Sequence, residues 1–270
     1  MKTLAIVNQK GGVWKTTTAV TVAHGLALCG LDVLLVDLDA QGNVADCLGM
    51  KKGPGLHDFL LRGAGLQAIT ESGRPHLDVI MGDPMTAEMK RSLAGDPFGI
   101  FKLRDALVDV ASEYDVCVLD AAPGADILQM GALVACSHFL VPVGLADLAV
   151  IGAVDALGMV ASLKKHDAFK GQFLGVLPTQ WERTTTESQY QLEMMTSKFG
   201  NLVWPPIPVD TRAREAPRYG LTVLEYAMDS RAVRGVQVNG RAVGGYAHMV
   251  ARLRREMRLE DGRPCTTRVD

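Results

Sequence analysis

Residues 4–17 read LAIVNQKGGVWKTT. The aliphatic run Leu4 to Val7 passes through Gly11 and Gly12 into Lys15, Thr16 and Thr17, which open a segment with helical spacing. In a strand–bend–helix the first amide N–H groups of the helix have no partner within it, so the bend can cradle a phosphate. A strict phosphate-loop pattern, G-x-x-x-x-G-K-[ST], would need glycine at positions 9 and 14, where this chain has Gln9 and Trp14. By that test the bend is a variant.

Outward from this bend, short aliphatic runs alternate with longer helical patterns. Leu4 to Val7, Val33 to Val36, Leu77 to Met81, Val116 to Leu119, Phe139 to Val143 and Phe173 to Leu177 are mostly apolar on both faces, as buried parallel strands are. Thr16 to Leu28, Phe98 to Tyr114, Ile127 to Cys136, Leu148 to Lys165 and Glu187 to Phe199 repeat apolar residues every three to four positions. The alternation predicts an α/β fold, a doubly wound, mostly parallel sheet with helices on both faces. No linker or repeat divides the chain, so residues 1–270 are expected to form a single domain. The glycine-rich stretches Gly53 to Gly65 and Gly235 to Gly245 are expected to be loops or insertions. A final helix over about Gly244 to Glu260 would set Met249, Leu253 and Met257 inward and Arg252, Arg254, Arg255 and Arg258 outward.

With 48% hydrophobic and 21% charged residues in 270, the composition excludes a disordered or fibrous chain. The most apolar region, Ile127 to Gly144, is interrupted by Gln129, Ser137, His138 and Pro142, short of the roughly 20 apolar residues that span a bilayer. The opening MKTLAIVNQKGG lacks the pattern of a secretory signal and reads as the first strand of a cytoplasmic protein. Cys29, Cys47, Cys117, Cys136 and Cys265 are scattered, suggesting neither a disulfide frame nor a zinc cage, and are expected to be reduced and mostly buried. Residues 231–270 carry a charge of +5 and the first 230 residues −7. That basic segment fits either a polyanion partner or a solvated helix face.

Lys10, Gly11, Gly12, Lys15, Thr16 and Thr17 match the deviant Walker A box KGGxGK[ST][ST], and the chain resembles the ParA/MinD family of P-loop ATPases along most of its length. VDLDAQGN at Val36 to Asn43 looks like the family's DxDxQGN segment, VCVLDAAPG at Val116 to Gly124 like its Walker B strand, and IPVDTRAREAPRYGLTVLEY at Ile207 to Tyr226 like its adenine-side segment. The order of these segments is nearer to the ParA branch, which segregates DNA.

The resemblance implies binding of ATP or ADP with Mg²⁺ and phosphoryl transfer to water. Gly11, Gly12, Val13, Trp14, Lys15, Thr16 and Thr17 would hold the phosphates, with Lys15 the cation for the β- and γ-phosphates and Thr16 and Asp120 the metal-side groups. Lys10 would reach across a nucleotide-sandwich homodimer, and Asp39 would orient the attacking water. Asp37 is open between a structural role and support of the metal. Pro208 and Asp210 are the candidates for the base, with Thr179 a third. In ParA proteins the ATP-bound dimer binds DNA without sequence preference and a ParB-like or cargo protein triggers release. Arg231, Arg252, Arg254, Arg255 and Arg258 would supply the phosphate contacts, placing the protein on the nucleoid when ATP is bound.

Trp14 departs from the family, which has glycine there so that the backbone can approach phosphate without a Cβ. The indole could point away, obstruct the dimer face over the γ-phosphate, or be an introduced substitution; nucleotide binding with impaired or altered hydrolysis is the expectation. Ala122 stands where ParA proteins usually have a proline, and Val236 to Gly245 is insertion-like. The nearest rival is a MinD-like membrane-positioning ATPase, but MVARLRREMRLEDGRPCTTRVD at the C-terminus has no Phe or Trp to enter lipid, so no membrane partner is expected. An ATP-dependent ligase, an iron–sulfur reductase component or a non-hydrolysing scaffold on the same fold are further alternatives.

Overall fold

The computed structural model describes residues 1–51, 53, 55–145, 149–238 and 240–259. In chain order the elements are β1 (Lys2–Ile6), α1 (Lys15–Ala27), β2 (Val33–Asp37), α2 (Asn43–Leu48), α3 (Leu56–Leu61), β3 (Thr70–Arg74), β4 (Leu77–Ile80), α4 (Thr86–Ala94), α5 (Lys102–Val108), β5 (Val116–Asp120) and α6 (Ile127–Ala135). They continue with β6 (His138–Gly144), α7 (Ala149–Lys165), β7 (Gln172–Thr179), α8 (Thr186–Phe199), α9 (Thr211–Glu215), α10 (Val223–Tyr226), α11 (Arg231–Arg234), β8 (Val236–Val238), β9 (Arg241–Val243) and α12 (Tyr246–Glu256).

Seven strands form one sheet in the order β3-β4-β2-β5-β1-β6-β7, parallel except for β3, which runs antiparallel to β4 at the edge. The expected doubly wound sheet is present, and its strands are apolar on both sides because each side meets a layer of helices. Leu4 and Ile6 of β1 face a core shared with α1, α2, α10 and α12, while Ala5 and Val7 face a second core shared with α3 to α7. β1 lies between β5 and β6, so the bend after it opens at the carboxyl ends of the central strands, where open α/β sheets bind ligands.

Helix α1 is buried along nearly its whole length. A Cβ on Gly25 would come 2.6 Å from Val250 Cγ2, so α12 can lie against α1 only because residue 25 lacks a side chain. Met249, Val250, Leu253 and Met257 are buried there, each contributing about 1.5–3 kcal/mol on full burial, and the Tyr246 and Thr18 hydroxyls lie 3.1 Å apart. The inward face of the last helix is therefore as expected. Its arginines are not uniformly outward: Arg252 stacks its guanidinium 4.1 Å from the Trp204 ring centre and donates to Glu256, and Arg254 is half-buried.

Other departures follow from local chemistry. Phe98 to Tyr114 is not one helix but a 3-10 turn, Gly99–Phe101, followed by the short α5. The Gly53 to Gly65 stretch contains α3, and Gly235 to Gly245 folds into the β8–β9 hairpin. Cys47, Cys117 and Cys136 are free thiols. Cys29, expected reduced, is instead disulfide-bonded, and Cys265 lies outside the described residues.

Arg74 joins four parts of the chain. Its guanidinium donates to the carbonyls of Leu48 at 3.0 Å and Gly220 at 2.9 Å and pairs with Glu225, tying the edge strand and the end of α2 to the segment around α10. Gly49 and Gly220, both at positive φ, meet backbone to backbone beside it.

Candidate nucleotide site

The bend after β1 is braced from three sides. Asn8 is fully buried; its side-chain amide donates to Pro142 O at 2.7 Å and its Oδ1 accepts Lys10 N–H at 2.9 Å. Gly124 N–H donates to Gln9 O at 2.9 Å. The Thr179 hydroxyl donates to Val13 O at 3.1 Å, and Gln180 Nε2 donates to Gly12 O at 2.7 Å. Apart from Lys10 N–H, which Asn8 takes, these contacts occupy carbonyls and leave the amides from Gly11 onward. Among the described residues, no amide N–H from Gly11 to Thr17 donates a hydrogen bond within the protein, the first helical bond being Thr18 N–H to Trp14 O. Such a row of donors at a helix start is a site for an anion.

Lys15 is 7% exposed and its ammonium donates to Lys10 O at 2.8 Å, which holds the side chain over the bend. Burial lowers its pKa, while Asp120 and Asp39 pull it back upward. Lys10 is exposed at the rim. Trp14 is in the left-handed region, φ 61° and ψ 33°, the conformation glycine adopts without strain. Its indole is half-buried and leans on the core around α1, yet it also lines the cleft.

Asp120 ends β5 beside Asp37 of β2 and Ile6 of β1. It is 1% exposed, and neither carboxylate oxygen meets a hydrogen-bond donor in good geometry. Burial and then Asp37 raise its pKa well above the usual carboxylate range, opposed by the nearby Thr16 hydroxyl and Lys15. A buried carboxylate without a partner is costly, and a cation placed between it and Thr16 would remove the cost. The residues present therefore fit a magnesium ion, whose ligands are hard oxygens.

Asp37, open in the sequence, is the anchor of the neighbouring loop. Oδ1 accepts Asp39 N–H at 2.9 Å and Oδ2 accepts Val44 N–H at 3.1 Å, with Gly82 N–H a third donor. Burial pushes its carboxyl up to about 7 against those hydrogen bonds. Asp39 thus sits on a loop fixed at both ends and faces a cleft of about 270 Å³, lined by Gly11, Gly12, Trp14, Lys15, Thr16 and Thr17 on one side and Asp39, Asn43, Ala121 and Pro123 on the other. A larger cavity of about 550 Å³ lies at the opposite ends of the strands. There Asp32 pairs with His76 and Asp78 accepts from Tyr114.

Gly82 was invisible as a site residue in the sequence. A Cβ on it would collide with the Asp39 carbonyl oxygen and come 3.0 Å from Asp37 Cγ, so the Asp39 loop rests directly on this backbone. Gly82→Ala is expected to lower kcat for ATP by about 10–100-fold through displacement of Asp39. KM should change less than about threefold, because the amides and Lys15, the candidate phosphate groups, do not rest on Gly82. Steady-state kinetics checks the split; an unchanged kcat would remove Gly82 from the site. Asn8 and Gln180 also escaped notice, since a single amide side chain carries no spacing signal.

The base-side candidates divide. Thr179 is brought to the bend, where its hydroxyl is engaged by Val13 O. Pro208 lies buried beside Trp181, in a bridge that extends the sheet past β7. Asp210 caps α9, accepting Arg212 N–H at 3.0 Å, and also accepts Arg231 N–H at 3.0 Å. Its pKa is lowered; burial opposes this and the Arg212 hydrogen bonds prevail. Neither Pro208 nor Asp210 lines the phosphate cleft. Of the five arginines expected to meet DNA, Arg231, Arg255 and Arg258 are exposed, while Arg252 and Arg254 are partly committed to packing.

A parallel sheet with an unpaired amide cradle, a buried lysine and an orphaned strand-end carboxylate defines a P-loop nucleotide-binding protein. A family model described as an AAA domain matches residues 1–172. Over 232 residues the chain is 35% identical to the chromosome-partitioning ATPase Soj of Thermus thermophilus, covering 85% of this chain and 90% of that protein. The structure of apo McdA from Cyanothece matches with a TM-score of 0.79 at 26% identity, covering 85% of this chain and 94% of that one. Cobyrinic acid a,c-diamide synthase from Mycobacterium smegmatis, solved with bound ADP and magnesium, matches with a TM-score of 0.71 at 28% identity over 82% of this chain and 91% of that one. The chain belongs to the ParA/MinD family of deviant Walker A P-loop ATPases.

Proposed function

We propose that this chain is an ATP-operated switch of the ParA kind, acting as a single P-loop domain. ATP and Mg²⁺ close a homodimer, the dimer binds DNA without sequence preference, and a ParB-like or cargo protein stimulates hydrolysis and release. The observation that carries the reading is the pairing of two unsatisfied sets around Lys15 and Thr16: the amides of Gly11 to Thr17 and, next to those two side chains, the buried carboxylate of Asp120. Donors for an anion and an acceptor for a cation, brought together in space, match a metal-bound polyphosphate.

In this reading the amides and Lys15 hold the β- and γ-phosphates, and Thr16 with Asp120 holds magnesium, which supplies neutralisation of phosphate charge. Asp39, fixed by Asp37 and Gly82, orients the attacking water. Lys10 extends to the partner's phosphates. The segment around Pro208 and Asp210 borders the base, with Thr179 bracing the bend. Trp14 narrows the cleft and slows hydrolysis. The protein works in the cytoplasm and on the nucleoid when ATP is bound. A MinD-like membrane role is disfavoured by the burial of Met249, Leu253 and Met257 against the body, which leaves α12 without an open apolar face for lipid.

Size exclusion and duplex-DNA binding with ADP, ATP and a slowly hydrolysed analogue test the proposal. Dimer and DNA affinity should both appear with ATP or the analogue and fade with ADP. A monomer that ignores DNA in all three states would overturn it.

A further inference from the structure

The hairpin flagged by the sequence as an insertion lines no part of the nucleotide cleft, and the stretch of chain that contains it is charged with one sign. From Ser230 to Arg255 there is no Asp or Glu, while Arg231, Arg234, Arg241, Arg252, Arg254 and Arg255 fall in that stretch. Folding sorts these arginines. Arg252 is held by Trp204 and Glu256, and Arg254 is half-buried in α12. Arg234, at the end of α11, and Arg241, at the start of β9, are exposed, and among the described residues neither has a carboxylate within salt-bridge distance. Arg183 donates to Gln237 O at 3.5 Å, bringing a further exposed guanidinium to the hairpin edge.

The hairpin is firmly placed. Val236 packs on the core at its root. Gly235, Gly244 and Gly245 leave no room for a Cβ against Val243, Pro206 and Val233, and Gly245 N–H donates to Pro206 O at 3.2 Å. The pair Gln237 and Ala242 faces outward. These side chains are too small and too polar to seat in lipid. A two-stranded ribbon fits the width of the DNA major groove, and exposed arginines at its base and tip, Arg234 holding only the Met228 carbonyl at 3.4 Å, suit the flanking phosphates.

We infer that α11 and the β8–β9 hairpin form a duplex-DNA contact of this chain, gripping backbone phosphates through Arg234 and Arg241, with the outer arginines of α12 secondary. This rests on the ParA-type reading and specifies where its DNA is held. The test is fluorescence anisotropy of the full chain with a mixed-sequence duplex, in ATP and magnesium, across a salt series. Arg234→Ala/Arg241→Ala should lower the slope of log affinity against log salt by about 0.9 for each phosphate no longer neutralised, and weaken binding on the order of 10–100-fold near 0.1 M salt. Arg252→Ala should leave the slope unchanged, Arg241→Lys should retain it, and an unchanged melting temperature shows that the double variant is folded.

An unaltered slope and affinity in the folded double variant, with the parent chain binding DNA, overturns the hairpin contact and leaves the switch reading standing. A parent chain that binds no DNA even at low salt removes both. If the double variant loses co-sedimentation with anionic phosphatidylserine vesicles and keeps its DNA affinity, the surface is a lipid contact and the inference fails.

Discussion

Asp120→Asn is expected to lower ATP turnover by about 100-fold or more and, in the same protein, to raise the melting temperature of the nucleotide-free chain. The first effect follows from charge. Electrostatic groups aimed at the reacting phosphate are worth roughly 10²–10³ in kcat each when removed singly, and an amide cannot neutralise a divalent cation. The second follows from the apo geometry. Asp120 is buried with no donor in good geometry on either oxygen, only the Thr16 hydroxyl nearby, and with Asp37 on the adjacent strand. Substituting a neutral side chain of the same shape removes the buried charge and its repulsion with Asp37, a gain on the order of 1 kcal/mol or more. For a chain of this size that is on the order of 2–4 °C per kcal/mol.

Opposite signs in the two readouts identify a residue kept for chemistry at the expense of stability. Thermal melting without nucleotide and steady-state turnover with ATP and magnesium measure them. A variant that is both less stable and fully active would make Asp120 an ordinary structural carboxylate.

How much of this was legible in the sequence depends on how many residues carry each signal. The central strands were, because both faces of β1, β2, β5 and β6 are buried and nearly every residue is therefore apolar. β3 was not: TESGR is an edge strand with a polar outer face, and edge strands need no apolar run. The short helices α2, α3, α9, α10 and α11 span two turns or fewer, below the length at which a 3.6-residue period shows. Their ends are set instead by caps such as the reciprocal Thr222–Glu225 pair.

At the candidate site, the convergence of Lys15, Thr16 and Asp120 was legible because those residue types stand at the ends of particular elements. Asp37 could be assigned only from the donors around it, and Gly82 only from the backbone that touches it. Arg252 illustrates the converse error. Helical spacing put it on the polar face, but Trp204, 48 positions upstream in the chain, supplies an aromatic surface that draws it inward.

Trp14→Gly is expected to raise ATP turnover by about tenfold or more, with a modest loss of thermal stability. Two effects oppose each other in the folded chain. A non-glycine residue at φ 61° carries roughly 1–2 kcal/mol of strain, which glycine relieves. The indole is half-buried against the core around α1, and its removal forfeits part of the roughly 3–5 kcal/mol that full deletion of a buried tryptophan costs. Packing therefore outweighs strain, and the melting temperature should fall.

Function runs the other way, because the indole lines the same cleft as Lys15, Thr16 and Asp39. Trp14→Ala separates the contributions: it removes the ring and keeps a Cβ in the left-handed conformation. Turnover restored by both variants assigns the block to the ring, and turnover restored by glycine alone assigns it to the backbone of the bend. Equal turnover in the parent chain and in Trp14→Gly would mean that the ring lies clear of the reacting phosphate, so that Asp39 and the phosphate loop operate unhindered beside it.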